Sequence, residues 1–175
     1  MEEIMIIKTF AYITRGITWI IYLLIILSLA MVAPILLGWK PVVVLSGSME
    51  PAYRVGGLIY YKEAVFEEIS IGDGVTFEIG DGSLATHRVV ETDTDTQSFI
   101  TKGDNNDSND SNPVYFNQVV GKASKICIPY AGYFFSITKN IPVIIFMVMV
   151  LIADYLLKTY VENKRQKQEC QPENG

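Results

Sequence analysis

Val75-Thr-Phe-Glu-Ile-Gly-Asp-Gly-Ser-Leu-Ala-Thr-His-Arg-Val-Val90 decides the fold. Two runs rich in β-branched and aromatic residues, 75–79 and 84–90, flank Gly80-Asp81-Gly82-Ser83, a cluster of turn formers. That pattern predicts a β-hairpin. Working outward, 58–61, 99–101 and 119–128 have the same strand-like composition. They are set apart by Gly56-Gly57, Gly72-Asp73-Gly74 and a polar tract over 103–113. Short strands at this spacing predict a mainly β domain, either an antiparallel sheet or a partly open barrel.

The flanks of this domain are of another kind. Of the 175 residues 50% are hydrophobic and 19% charged, below the ~25% charged share of an average soluble domain. No Asp, Glu, Lys or Arg occurs over 16–39. As a helix that stretch would extend about 36 Å, against a hydrocarbon core of about 30 Å. It exceeds the ~7–15-residue apolar region of a cleavable signal peptide, and is read as a retained anchor. A second apolar run, 141–157, is interrupted only by Asp154, close enough to its end to reach lipid headgroups. Lys158, Lys164, Arg165 and Lys167 follow it, and Lys8 and Arg15 precede the first run. By the positive-inside rule both termini are cytoplasmic. The expected layout is a cytoplasmic segment 1–15, a transmembrane helix 16–39, an exported β-rich domain 40–139, a transmembrane helix 140–157 and a cytoplasmic tail 158–175.

The formal charge of -5 resides in the middle segment, where acids outnumber bases, and no basic stripe occurs. Nucleic-acid partners are therefore excluded. Cys127 falls in the exported segment and Cys170 in the tail; on this layout they cannot pair, and no disulfide framework holds the domain. Cys127 reads as a packed strand residue.

The chain has one histidine, His87. Such a residue is commonly structural, and its companions give it weight. Leu45-Ser-Gly-Ser-Met-Glu-Pro51 stands a few residues beyond the first apolar run and places Ser48 on a tight backbone feature, although an ordinary juxtamembrane turn has the same composition. Asp104, Asp107 and Asp110 share one loop downstream of His87. A serine hydroxyl needs a base to become nucleophilic. Imidazole, with an ordinary pKa of about 6.5, serves near neutrality, and a carboxylate on its far nitrogen fixes the tautomer.

Ser-Gly-Ser-Met-Glu-Pro at 46–51, Thr-His-Arg-Val at 86–89, Thr-Lys-Gly-Asp-Asn-Asn at 101–106 and Pro-Tyr-Ala-Gly-Tyr at 129–133 resemble, in order and spacing, the successive boxes of type I signal peptidases. Housekeeping bacterial members carry a lysine base. Endoplasmic-reticulum, archaeal and SipW-like Gram-positive members have histidine there, so the chain is similar to this histidine-containing branch. The resemblance implies a signal-peptidase-type catalytic domain with Ser48 as nucleophile and His87 as base. It implies Asp110 as the acid, six residues after the aspartate of Lys-Gly-Asp, with Asp104 as the alternative; it gives no support to Asp107. Ser46 would join the Ser48 N–H as oxyanion donor. Gly57 departs from a Gly-Asp common in relatives, without evident loss of chemistry.

The implied substrates are signal peptides of exported preproteins, bound as an extended strand beside the lipid bilayer with small residues before the scissile bond, and no metal or organic cofactor is needed. Met49 and Pro51 could face lipid or pack inside. Whether accessory membrane subunits are needed stays open. Asn106-Asp-Ser108 and Asn109-Asp-Ser111 both match the N-glycosylation sequon, and a glycan there would crowd the site, which favours a bacterial or archaeal plasma membrane over the endoplasmic reticulum. Two competing readings are a calcium loop over 104–115 and a catalytically silent membrane scaffold. The calcium loop lacks the usual glycine at its sixth position, Asn109, and the glutamate at its twelfth, Tyr115.

Overall fold

The computed structural model describes residues 2–80, 82–138 and 140–169. Residues 30–137 form one compact unit, and the described residues of 1–29 and 138–175 form another.

The first unit is built on one antiparallel sheet of seven strands. They are β1 (Trp39–Val43), β2 (Leu58–Lys62), β3 (Gly74–Glu78), β4 (Leu84–Asp93), β5 (Ser98–Lys102), β6 (Val114–Tyr115) and β7 (Val119–Ala123), in the order β1-β2-β7-β3-β4-β5-β6. The fold is mainly β and antiparallel, as the sequence indicates. The hairpin of β3 and β4 pairs Val75 with His87, Thr76 with Thr86 and Phe77 with Ala85. Its turn closes through Ser83 N–H to Gly80 O at 2.9 Å. Gly80 and Gly82 have φ of 72° and 73°, a left-handed conformation that glycine adopts without penalty.

Three features depart from the sequence reading. Strand β1 begins at Trp39, the last residue of the apolar run expected to be helical: the first helix stops at Val32, and a 3-10 turn, Ala33–Leu37, ends on Gly38 at φ 83° and redirects the chain. Pro41 lies within β1, which an edge strand tolerates because one row of its N–H groups is unpaired in any case. The run 119–128 is broken, since β7 stops at Ala123 and only Ile128 returns, bridging Leu58. Cys127 is therefore not a strand residue. It is half-buried beside Met49 and Ile59, where a Cβ on Gly57 would stand 2.4 Å from its Sγ. Cys170 lies outside the described residues. A short helix, α2 (Ala131–Thr138), also had no counterpart in the sequence reading.

Strand β2 is buried on both faces. Leu58 and Tyr60 pack with Met31 and Ala131, while Ile59 packs with Met49, Tyr53 and Ala123. A third cluster joins Phe66, Ile69, Val75, Phe77, Val89, Phe99 and Val114 beneath the hairpin. Each large side chain so buried contributes about 1.5–3 kcal/mol. The Tyr60 hydroxyl donates to Met31 O at 2.8 Å, within this unit.

The second unit holds most of α1 (Glu2–Val32) and α3 (Ile141–Glu169). Tyr12–Leu37 and Ile141–Asn163 are long and apolar enough to cross a membrane. Their apolar side chains, among them Ile20, Leu23, Phe146 and Met149, are largely exposed, unlike those of a core helix. Asp154 is turned inward, 6% exposed, with Lys158 Nζ at 2.6 Å from its Oδ2. Its Oδ1 has no partner among the described residues.

Candidate active site

Ser48 lies in a turn that follows β1, closed by Glu50 N–H to Gly47 O at 3.1 Å and by Tyr53 N–H to Met49 O at 2.9 Å. Met49 is 2% exposed, so its packing inside the domain pins the turn from below, while Ser48 stays half-buried at the surface. Pro51 is exposed.

His87 projects from β4 opposite Val75, with the Phe77 ring edge-on at 6.1 Å between centroids. Its Nε2 stands 3.2 Å from Ser48 Oγ and its Nδ1 2.6 Å from Asp110 Oδ2. An ionised carboxylate can only accept. In the neutral imidazole Nδ1 then carries the proton and donates it to Asp110, leaving Nε2 free to accept from the Ser48 hydroxyl. Asp110 is held in turn, its N–H donating to Thr101 O at 2.8 Å and its Oδ2 accepting from the Thr101 hydroxyl at 2.6 Å. Thr101 is fully buried.

The remaining candidates separate cleanly. Ser46 is exposed, with its Oγ 3.3 Å from Ser48 Oγ. Asp104 does not meet His87. Both its carboxylate oxygens are taken by Arg88, at 2.6 Å from Nε and 2.5 Å from NH2. Hydrogen bonding to that carboxylate holds the Arg88 guanidinium above its ordinary pKa. Asp107 is exposed, and among the described residues only its backbone oxygen is engaged, by Lys102 Nζ at 3.4 Å. With Asp104 on Arg88 and Asp110 on His87 and Thr101, two of the three carboxylates of the supposed calcium loop serve other partners. Among the described residues no group of three or more His, Cys, Asp or Glu side chains could hold a metal.

A cleft of about 540 Å³ is lined by Ser46, Ser48, His87 and Asn106 together with apolar side chains that include Val42, Val44, Leu45, Ile79, Leu84 and Ala85. Beneath it Tyr53 donates to Ser124 O at 2.7 Å, and burial pushes its phenol above the ordinary range. The sequence reading passed over Thr101 and Asn106. Both stand in the quoted Thr-Lys-Gly-Asp-Asn-Asn box, but only the folded loop reveals what their side chains face. Chemically, the arrangement can pass a hydroxyl proton to an imidazole whose far nitrogen is fixed by a carboxylate.

No protein-family model matches the chain. Among curated proteins it is 40% identical over 102 residues to signal peptidase I W of Bacillus subtilis, covering 53% of this chain and 54% of that protein. It is 34% identical over 127 residues to the signal peptidase complex catalytic subunit SEC11C of Homo sapiens, covering 66% of each. It is 42% identical over 74 residues to the SEC11 subunit of Fusarium vanettenii, covering 40% of this chain and 43% of that protein. The chain is thus homologous to signal peptidases, and its matches span about half to two thirds of the length of the first two relatives.

Proposed function

We propose that this homologue of signal peptidases is itself a membrane-bound serine endopeptidase that removes signal peptides from exported preproteins. The observation that carries the reading is the continuous relay from Ser48 Oγ through His87, at 3.2 Å, to Asp110, at 2.6 Å. Ser48 Oγ attacks the scissile carbonyl carbon while His87 Nε2 takes its proton. The tetrahedral intermediate then expels the amine, which receives that proton, and leaves an acyl ester on Ser48 that water hydrolyses by the same route. Ser46 Oγ and the Ser48 N–H stabilise the oxyanion.

The helices at either end anchor the enzyme in a plasma membrane with both termini cytoplasmic and the sheet domain outside, the orientation that the positive-inside rule gives for Lys8 and Arg15 before the first apolar run and Lys158, Lys164, Arg165 and Lys167 after the second. The exposed apolar side chains of both helices support a lipid environment. An extended substrate strand fits the cleft, whose apolar walls suit small uncharged residues before the scissile bond. The test is cleavage of a preprotein in liposomes by the full chain. Ser48→Ala and His87→Ala should each abolish it while leaving the protein folded, and full activity in either variant would overturn the assignment.

A further inference from the structure

Residues 103–106 form a tight turn against the nucleophile. Asn106 N–H donates to Gly103 O at 3.0 Å, and Asn105 N–H donates to Ser48 O at 2.8 Å. Gly103 is buried, and a Cβ there would stand 2.6 Å from Ser48 O and 2.8 Å from Asn106 Nδ2. The absent side chain is what lets the Asn106 carboxamide fold back beside the Ser48 peptide. Asn106 is half-buried and lines the same cleft as Ser46, Ser48 and His87. Its carboxamide makes no hydrogen bond to any described residue. A polar group this close to the nucleophile, bearing two donors and an acceptor, has the hydrogen-bonding complement of a peptide group.

From this juxtaposition we infer that Asn106 is a substrate-binding residue, whose carboxamide N–H donates to a backbone carbonyl of the extended peptide where it passes Ser48. The inference rests on the proteolytic reading of the site and adds a recognition element that is independent of the substrate's side chains. One neutral hydrogen bond made equally in the ground and transition states affects KM and leaves kcat alone, by roughly fivefold for a bond of ordinary strength.

The experiment measures kcat and KM for preprotein cleavage in liposomes by the full chain carrying Asn106→Ala or Asn106→Asp, the latter keeping the shape and losing both N–H donors. Thermal unfolding is followed in parallel. A KM raised about fivefold in both variants, with kcat within about twofold and Tm unchanged in Asn106→Asp, is the expected result. An unchanged KM in either variant overturns the inference, as does a loss confined to kcat. If the unmodified chain cleaves, the Ser48→Ala chain does not, and both position-106 variants keep the original KM, only this inference fails; if the unmodified chain does not cleave, the proteolytic reading fails first.

Discussion

Replacing Asp110 by asparagine tests the relay at its far end. A single oxygen, Oδ2, accepts from both His87 Nδ1 and the Thr101 hydroxyl, each at 2.6 Å. If the asparagine oxygen keeps both bonds, the geometry survives and the site loses only the negative charge that stabilises the imidazolium. If the amide nitrogen turns to His87 instead, it forces the ring proton onto Nε2, where it can no longer accept from Ser48. In the serine-protease template this substitution lowers kcat by about 10⁴, or about 5.5 kcal/mol at about 1.36 kcal/mol per tenfold. The Asp110 side chain is 24% exposed, so solvent screens part of its charge, and a kcat loss of about 10²- to 10⁴-fold is expected. Initial rates of preprotein cleavage at saturating substrate measure it, with Asp107→Asn as the control expected to stay within about twofold. Thr101→Val, which removes only the support for the carboxylate, should lose about tenfold or less. Activity of Asp110→Asn within about threefold of the unmodified chain, or an equal loss in Asp107→Asn, would refute the reasoning.

Removing the Ser46 hydroxyl should lower kcat by about 10²- to 10³-fold with little change in KM; a variant as fast as the parent would show that another group holds the oxyanion. Gly132→Ala would put a Cβ 2.5 Å from Gly57 O and 2.7 Å from the Val43 side chain, an overpacking that costs about 1–3 kcal/mol and should lower Tm by several degrees, whereas an unchanged Tm would mean the contact relaxes freely. Burial raises the Asp73 carboxyl pKa, but hydrogen bonds from Lys122 and Ser70 N–H, with the charges of Lys122 and Lys125, outweigh it and hold the value below the usual range. A carboxyl lowered in the folded state stabilises above its unfolded pKa of about 3.9 and loses that contribution as pH falls through the folded value. Thermal unfolding of Asp73→Asn should accordingly show a Tm deficit at pH 7 that closes on acidification below about pH 4; a deficit that persists there would assign it to something other than charge.

The hairpin was legible because its signals agree: alternating β-branched residues, two glycines at positive φ and a polar turn all specify one local structure. The edge strand β1 was not, since its first residue, Trp39, closes the apolar run, Lys40 follows at once, and Pro41 counts against a strand on composition alone. What separates helix from strand there is the left-handed Gly38, a single residue. Ser48 and His87 stood out through their rarity and setting. Asp110 was distinguishable from Asp104 and Asp107 only by resemblance, because a loop with three aspartates gives no periodicity to show which one points inward. The fold separates them through long-range partners: Arg88 for Asp104, and His87 with Thr101 for Asp110. Thr101 escaped notice for the same reason, as its role depends on the loop doubling back to bring Asp110 beside its own strand.

The bond from Tyr60 to Met31 O ties the final turns of the first helix to β2, and β2 is zipped to β1 over five register pairs, from Trp39 with Lys62 to Val43 with Leu58. Strand β1 is thus a strut within the connection from helix end to nucleophile, about 17 Å long for five extended residues, set between the 3-10 turn Ala33–Leu37 and the turn that carries Ser48. Paired along its whole length, it has no slack of its own to take up. A one-residue insertion would not merely raise Ser48 but turn every side chain of the strut to the opposite face, so the elevation of the nucleophile is quantised by the pleat. Under the proposed activity, such a strut makes the molecule a ruler: it selects a peptide bond by how far that bond stands from the end of the helix, before any pocket has read a side chain.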